Sequence, residues 1–268
     1  MSFHVERTDD RFRRVDIAVT GSRVIGVLSA YYRPPPQAQA NILEIADRVH
    51  RGEFSSRVAL IVGGTRGLGE ITAKLVAAGG GLPIITFHRG ADDAERVAGE
   101  IRDWGGQCGV AHLDVMRPAG AIKRLFADKN KPRSIYYFAT PKIFGRRRSF
   151  WGHDLFRVFC DYYVSAFGLL IDAAAAHTEE KLRVFFPSSI AVQEDLRELA
   201  EYVMAKRAAE DMCAFYNRYS SKVEILVERL PRIRTDQTST LVEVPAEEGQ
   251  AIMLPIVRRI ELGVSSTN

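Results

Sequence analysis

The chain has 268 residues, of which 46% are hydrophobic and 26% charged, with a formal net charge of +4. That is enough apolar material for one full α/β domain and some extra, and it excludes a chain disordered throughout. The small positive balance tilts toward acidic partners such as phosphorylated cofactors and gives no ground for nucleic acid.

Residues 1–36 differ in pattern from the rest of the chain. Val15, Ile17 and Val19 alternate with polar neighbours, and a second β-rich run, 24–32, lies across Thr20-Gly21-Ser22, so a hairpin is expected. Pro34, Pro35 and Pro36 stop it, and residues 38–51, with apolar Ile42, Leu43, Ile45, Ala46 and Val49, read as a short amphipathic helix. A two-stranded hairpin is marginal by itself. Residues 1–52 are therefore an extension that either packs on the main domain or is the tail of a preceding one; in composition it resembles the last strands of a hot-dog hydratase-like domain. Residues 53–268 form the second unit.

There the pattern becomes strand and helix in alternation, which predicts a doubly wound parallel sheet of the Rossmann type with helices on both faces. Strands are expected at 58–62, 82–87, 108–113, 134–139, 182–186 and 223–227. Helices are expected at 69–78, 91–104, 118–127, 154–177, 196–219 and 247–260. Cys108, Cys160 and Cys213 are widely spaced and odd in number, which fits buried thiols in a reducing compartment rather than a metal site or a disulfide framework. A cytoplasmic protein is expected: no opening segment resembles a signal peptide, and no apolar run approaches the roughly 18 to 20 residues of a membrane span.

The first strand of this unit, Val58 to Val62, feeds into Gly63-Gly64-Thr65-Arg66-Gly67-Leu68-Gly69. Gly63 permits a sharp turn, Gly67 has no side chain to hold a dinucleotide backbone away, and Gly69 lets the next helix pack close. The open N–H groups of that helix then face a pyrophosphate. Where an acidic residue would select an unphosphorylated ribose, about 20 residues on, the second strand ends in His88 and Arg89. Arg66 approaches the same corner from the glycine loop, and an arginine pair suits a phosphate dianion, so NADPH is favoured over NADH. Asp114, closing the third strand, is placed for the adenine amino group, with a turn or capping role as its alternative.

Tyr202 and Lys206 are four apart on a helix and project from one face. Ser189 closes the fifth strand, 13 residues before Tyr202 (202 − 189 = 13), at the carboxyl edge where open α/β folds bind ligands.

Glycine loop, Asp114, a serine closing the fifth strand and Tyr-x-x-x-Lys, in that order over about residues 56–236, resemble the short-chain dehydrogenase/reductase family, in particular its 3-oxoacyl reductases. The resemblance implies that Tyr202 is the general acid for a carbonyl oxygen and that Ser189 holds that oxygen. Lys206 would lower the phenol's pKa and reach the nicotinamide ribose. It also places Thr65, Leu68, Val115, Ala139 and Thr235 against the cofactor. Four departures stand out. The threonine that usually opens the loop is Val62, which removes one bracing hydrogen bond. Where the fourth strand usually ends in Asn-Asn-Ala-Gly it reads Tyr137-Phe138-Ala139-Thr140-Pro141. The asparagine of the proton relay aligns with Tyr163, an expected fourth catalytic residue. Pro231-Arg232 replaces a Pro-Gly.

The usual seventh strand is missing from the pattern, and the N-terminal hairpin is a candidate to cover or extend the sheet instead. The expected substrate is a small-molecule or carrier-protein-tethered carbonyl, first of all a 3-oxoacyl thioester, with the basic run Arg146-Arg147-Arg148 meeting a phosphopantetheine or an acidic carrier. No membrane, nucleic acid or metal is expected. The family's habit of pairing long helices implies a homodimer or homotetramer. A non-catalytic NADPH-binding module is the alternative from another class.

Overall fold

The computed structural model describes residues 1–11, 13–32, 39–143, 150–194, 197–233 and 247–263. Thr235 and the run 146–148 lie outside the described residues.

Three antiparallel strands come first, β1 (Ser2–Asp9), β2 (Arg14–Thr20) and β3 (Ile25–Tyr31), paired in the order β1-β2-β3. The expected hairpin is β2-β3, with Ile17 opposite Leu28. The extra strand β1 escaped the pattern because its Phe3 and Val5 are interrupted by charged residues, and its pairing shifts register between Val5 and Arg7. This sheet does not extend the main one; the two are separate. Phe3, Val5 and Leu28 share one of its faces and are all exposed.

The helix expected over 38–51 is shorter, α1 (Ile42–Ala46), capped by the Asn41 side chain on the Glu44 N–H. The segment carrying it is built into the main body. Ile42, Ile45, Val49 and Phe54 are buried in the same apolar cluster as the next helix. Below them Lys74, 1% exposed, has its Nζ 2.8 Å from Glu70, 2.9 Å from Glu100 and 3.0 Å from the Ala40 carbonyl. Glu100 also accepts the Ile42 N–H at 2.8 Å. A buried ammonium is tolerable only when so surrounded.

The main sheet has six parallel strands in the order β6-β5-β4-β7-β8-β9: β4 (Val58–Val62), β5 (Leu82–Phe87), β6 (Gly109–His112), β7 (Ser134–Tyr137), β8 (Leu182–Ser189) and β9 (Val223–Leu230). Its central strands are apolar along their length because both faces are covered. On one side pack α2 (Gly67–Ala78), α3 (Ala91–Asp103) and α8 (Gly249–Leu262). On the other pack α4 (Ala119–Ala127), α5 (His153–Cys160), α6 (Phe167–Ala175) and α7 (Ala200–Tyr219). The chain leaves β4 toward β5 and β6, then returns to β7. The strand order therefore reverses between β4 and β7, and a crevice opens past their carboxyl ends.

Two features of this frame were not expected. The long helix is α-helical at both ends but holds a π turn over Asp161–Ala166, where one extra residue per turn re-aims the side chains. Helix 153–175 is also long and apolar enough to cross a membrane, with a mean hydropathy of 1.4 in its most apolar window. That corrects the expectation that no such run exists. Here Phe159, Tyr163, Phe167, Leu170 and Ile171 are buried in the core layer between the sheet and its helices.

Among the described residues no seventh strand pairs with β9. The Asn217 side chain stands in for part of one: its amide donates to the Ile225 carbonyl at 2.8 Å and accepts the Ile225 N–H at 2.7 Å. Ser220 Oγ accepts the Val223 N–H at 3.2 Å. These side chains occupy backbone groups that an edge strand would otherwise leave open.

Replacing Lys74 with Met should strand carboxylates that now share its charge. Urea unfolding should show a loss of about 3 kcal/mol, and hydrogen exchange should rise first over residues 39–46.

Candidate active site

At the end of β4 the chain turns through Gly63, whose φ is +81°, a conformation that glycine adopts without strain. A Cβ there would meet the Phe138 and Ala139 backbone at 3.2–3.3 Å. At Gly69 a Cβ would lie 2.2 Å from the Gly63 carbonyl oxygen, so the helix can close onto the turn only with glycine there. Helix α2 begins at Gly67, two residues earlier than expected, and no described side chain caps it. The N–H groups of its first turn therefore face the crevice.

The bracing bond expected to be lost at Val62 is made from the neighbouring strand. Thr86, in register with Val62, accepts the Gly63 N–H on its Oγ1 at 3.3 Å. A threonine one strand over replaces one at the loop's own start, a pairing visible only once the register is known.

The charged corner beside the loop is more crowded than the sequence suggested. His88 and Arg89 are exposed at the end of β5, as placed. Arg66, however, is held by Asp93 on the first turn of α3, Nε at 3.0 Å and Nη2 at 2.5 Å. Arg96, one turn further along α3, makes a two-point ion pair with Glu70 and reaches the Thr65 carbonyl. Helix α3 thus grips the glycine loop through two arginine–carboxylate links. Asp114 is engaged in the turn that was its alternative: its Oδ1 accepts the Met116 N–H at 3.0 Å. Val115 is buried beside it and Ala139 lies half-buried next to Gly63.

Across the crevice the structure brings together Ser189, Tyr202, Lys206 and Tyr163. Ser189 ends β8 and caps a short 3-10 turn, its Oγ accepting the Ala191 N–H at 3.2 Å. The Ser189 side chain lies close enough to the Tyr202 phenol to favour its charged form. One turn along α7, Lys206 Nζ donates to the Pro187 carbonyl at 2.6 Å, under the rings of Tyr163 (4.0 Å to its centroid) and Phe186 (4.5 Å). Tyr163 projects from the π turn, stacked on Phe159 and edge-on to Tyr202. Its hydroxyl lies 2.5 Å from Thr140 Oγ1, and Thr140 donates its own proton to the Pro141 carbonyl. A hydroxyl has one proton, so Tyr163 is the donor in that pair. The ring face of Tyr163, rather than its hydroxyl, therefore meets Lys206.

The electrostatics correct one expectation. Lys206 was to lower the Tyr202 pKa, yet burial pushes that phenol up to about 12, with only the Ser189 side chain acting the other way. Lys206 Nζ is 5.9 Å from the Tyr202 ring centroid, and burial pulls its own pKa down to about 7, partly offset by Cys213 and Glu210. Two buried groups that both disfavour charge give each other little net charge to act on. Tyr202 is accordingly a phenol with its proton in place at neutral pH.

No family model matches the chain and no curated protein matches it. Solved structures do. It is similar to a short chain dehydrogenase from Shigella flexneri 2a complexed with NADP, at 17% identity and a TM-score of 0.70, over 79% of this chain and 93% of that one. It is similar to the angucycline C-6 ketoreductase LanV with bound NADP, at 18% identity and a TM-score of 0.67, over 79% and 91%. It is also similar to acetoin dehydrogenase YohF from Salmonella typhimurium, at 20% identity and a TM-score of 0.59, over 67% and 77%. At these identities the likeness establishes the fold, which is that of the short-chain dehydrogenases/reductases.

The site carries a cost in stability. An unfolded lysine titrates near about 10.4, whereas Lys206 titrates at about 7 in the fold. Between these values the unfolded chain holds a proton that the folded one lacks, so stability rises with pH across that window; below it the folded state bears the full penalty. Lys206→Met should therefore raise the Tm at pH 6, by roughly 2–6 °C. The advantage should fade by pH 10, as read by calorimetry.

Proposed function

We propose that the protein is a divergent short-chain reductase that transfers hydride from NADPH to a carbonyl, with Tyr202 supplying the proton. The observation that carries this reading is the protonated Tyr202 phenol beside Ser189, with Lys206 one turn away, at the carboxyl edge of a sheet whose glycine loop opens onto the same crevice. The first-turn N–H groups of α2 suit the pyrophosphate. His88 and Arg89, with Arg66 nearby, suit a 2′-phosphate, and NADP is the nucleotide named with two of the similar structures.

NADPH supplies the hydride; the chain supplies position and the proton. Ser189 holds the carbonyl oxygen next to Tyr202, which gives up its proton as negative charge develops there. A phenol at about 12 is a weak acid by itself. Lys206, when protonated, would favour the phenolate that remains. Tyr163 supports Lys206 through its ring face. A phenol whose hydroxyl is paired with Thr140 cannot bind a relay water identically to an asparagine side chain.

For substrate we propose a 3-oxoacyl thioester, supported by the basic run 146–148 and by the similarity in motifs to 3-oxoacyl reductases. The chain would act as a homodimer or homotetramer in the cytoplasm. Residues 1–32 are proposed to belong to a separate unit, such as the end of a hot-dog-like domain, supported by their unpaired sheet and its exposed Phe3, Ile25 and Leu28. A second reading, a module that binds NADPH without turnover, is favoured by the Tyr163 hydroxyl being occupied by Thr140.

Tyr202→Phe decides between them: turnover should fall by at least about 100-fold while NADPH binding, followed by its fluorescence, is retained. A module without turnover would lose nothing. At the cofactor's corner, Asp93→Asn should free Arg66 from its carboxylate and strengthen NADPH binding by roughly 3- to 10-fold, leaving NADH nearly unchanged. An equal gain for both nucleotides would contradict a 2′-phosphate at Arg66.

A further inference from the structure

Glu210 lies on α7 one turn beyond Lys206, and three elements meet on its carboxylate. Ser188, 4% exposed and immediately before Ser189, donates to its Oε1 at 2.5 Å. Arg229 on β9 donates to both oxygens, Nε to Oε1 at 3.0 Å and Nη2 to Oε2 at 2.6 Å. Burial opposes the charge on Glu210, but the hydrogen bonds from Arg229 and Ser188 outweigh it and hold the carboxyl below its usual range. It is therefore an anion at neutral pH.

We propose that Glu210 is a positioning residue of the reductase site: it fastens the end of β8 to α7, so fixing Ser189 against Tyr202, and keeps a fixed negative charge one helical turn from Lys206. This rests on the reductase reading for its kinetic consequence, though not for its electrostatic one. The tie is suited to the task because it joins the strand end at Ser188 to α7, the helix that carries both Tyr202 and Lys206. Ser189 comes next along β8, and Tyr202 is one turn before Lys206 along α7. A rigid link between neighbours sets a reacting geometry more tightly than the reacting groups can by themselves.

Among the described residues that face Lys206, Glu210 is the one that carries a charge at neutral pH. From α7 it is faced by Tyr202, Glu210 and Cys213; from the π turn by Tyr163; from β8 by the Pro187 carbonyl and the Phe186 ring. Tyr202 and Tyr163 are kept neutral by burial, and the buried Cys213 thiol is likewise pushed up to about 12. Arg229 holds both oxygens of the same carboxylate, so it partly cancels the field of Glu210.

That arrangement separates an electrostatic role from a merely structural one, because Glu210→Gln and Arg229→Ala break the same ion pair with opposite changes of charge. The Lys206 side chain is followed by carbon NMR in protein labelled with 13C at lysine Cε, its signal assigned by loss in Lys206→Met. Removing the anion should move the Lys206 titration to lower pH by about half to one unit. Removing the cation should leave it in place or move it up. Equal shifts in both variants, or none in Glu210→Gln, overturn the proposal.

In the kinetic arm, measured with NADPH and a 3-oxoacyl thioester, Glu210→Gln should lower kcat about 10-fold with little change in the KM for NADPH. The alkaline limb of its pH profile should follow the NMR shift, and Glu210→Asp should recover part of the rate. If the wild-type chain binds NADPH but turns nothing over, the reductase reading fails, and the NMR arm still decides the electrostatic claim. If the wild type turns over and Glu210→Gln retains full kcat, the positioning claim fails while the reductase reading stands.

Discussion

The buried ammonium of Lys206 constrains everything placed around it. It is 5% exposed, its one hydrogen bond among those described goes to the Pro187 carbonyl, and the rings of Tyr163 and Phe186 lie over it. Such a group survives in a fold only where carbonyl, π clouds and a nearby anion together offset its lost hydration. Each of those is supplied by a different element: β8 gives the carbonyl, the π turn gives Tyr163, and α7 itself gives Glu210. The π turn is intelligible in these terms. The wider turn carries Tyr163 with its ring over Nζ and its hydroxyl on Thr140.

The second constraint is at the glycine loop. Its closeness to β7 and to α2 leaves no room for side chains at Gly63 and Gly69, so the loop is held from outside by Thr86, Arg96 and the Arg66–Asp93 pair. All of these come from β5 and α3 or bond to them, which makes that pair of elements the support of the cofactor's end of the crevice. The buried Lys74 cluster performs the same service one layer out, locking α3 and α2 to the segment that leads into the sheet.

Much of this was legible in the sequence because it depends on local pattern. Apolar runs such as Val58 to Val62 and Leu82 to Phe87 could only be buried parallel strands, and their limits agree with the fold residue for residue. Tyr202 and Lys206 share a face because they are one turn apart, and Ser189 could be placed because it closes a strand. What escaped depends on register and on distance along the chain. Thr86 supports Gly63 across a strand pair, Arg66 is claimed by an aspartate 27 residues away, and Glu210 joins β8 to β9. The direction of the Tyr202 shift was misjudged for a related reason: spacing shows that a lysine is near, but only burial shows that neither group carries its charge freely. Strand β1 was missed because charged residues interrupt its alternation.

The central claim is that hydride passes from NADPH to a carbonyl carbon while Tyr202 protonates the oxygen. The most direct measurement is transfer of deuterium from NADPH deuterated at the nicotinamide C4, with a short 3-oxoacyl thioester and a set of cyclic and aromatic ketones as acceptors, read by mass spectrometry of the products. The account predicts an alcohol carrying one deuterium at the former carbonyl carbon, formed by the wild-type chain. A chain that binds NADPH tightly yet leaves every acceptor without deuterium would contradict it.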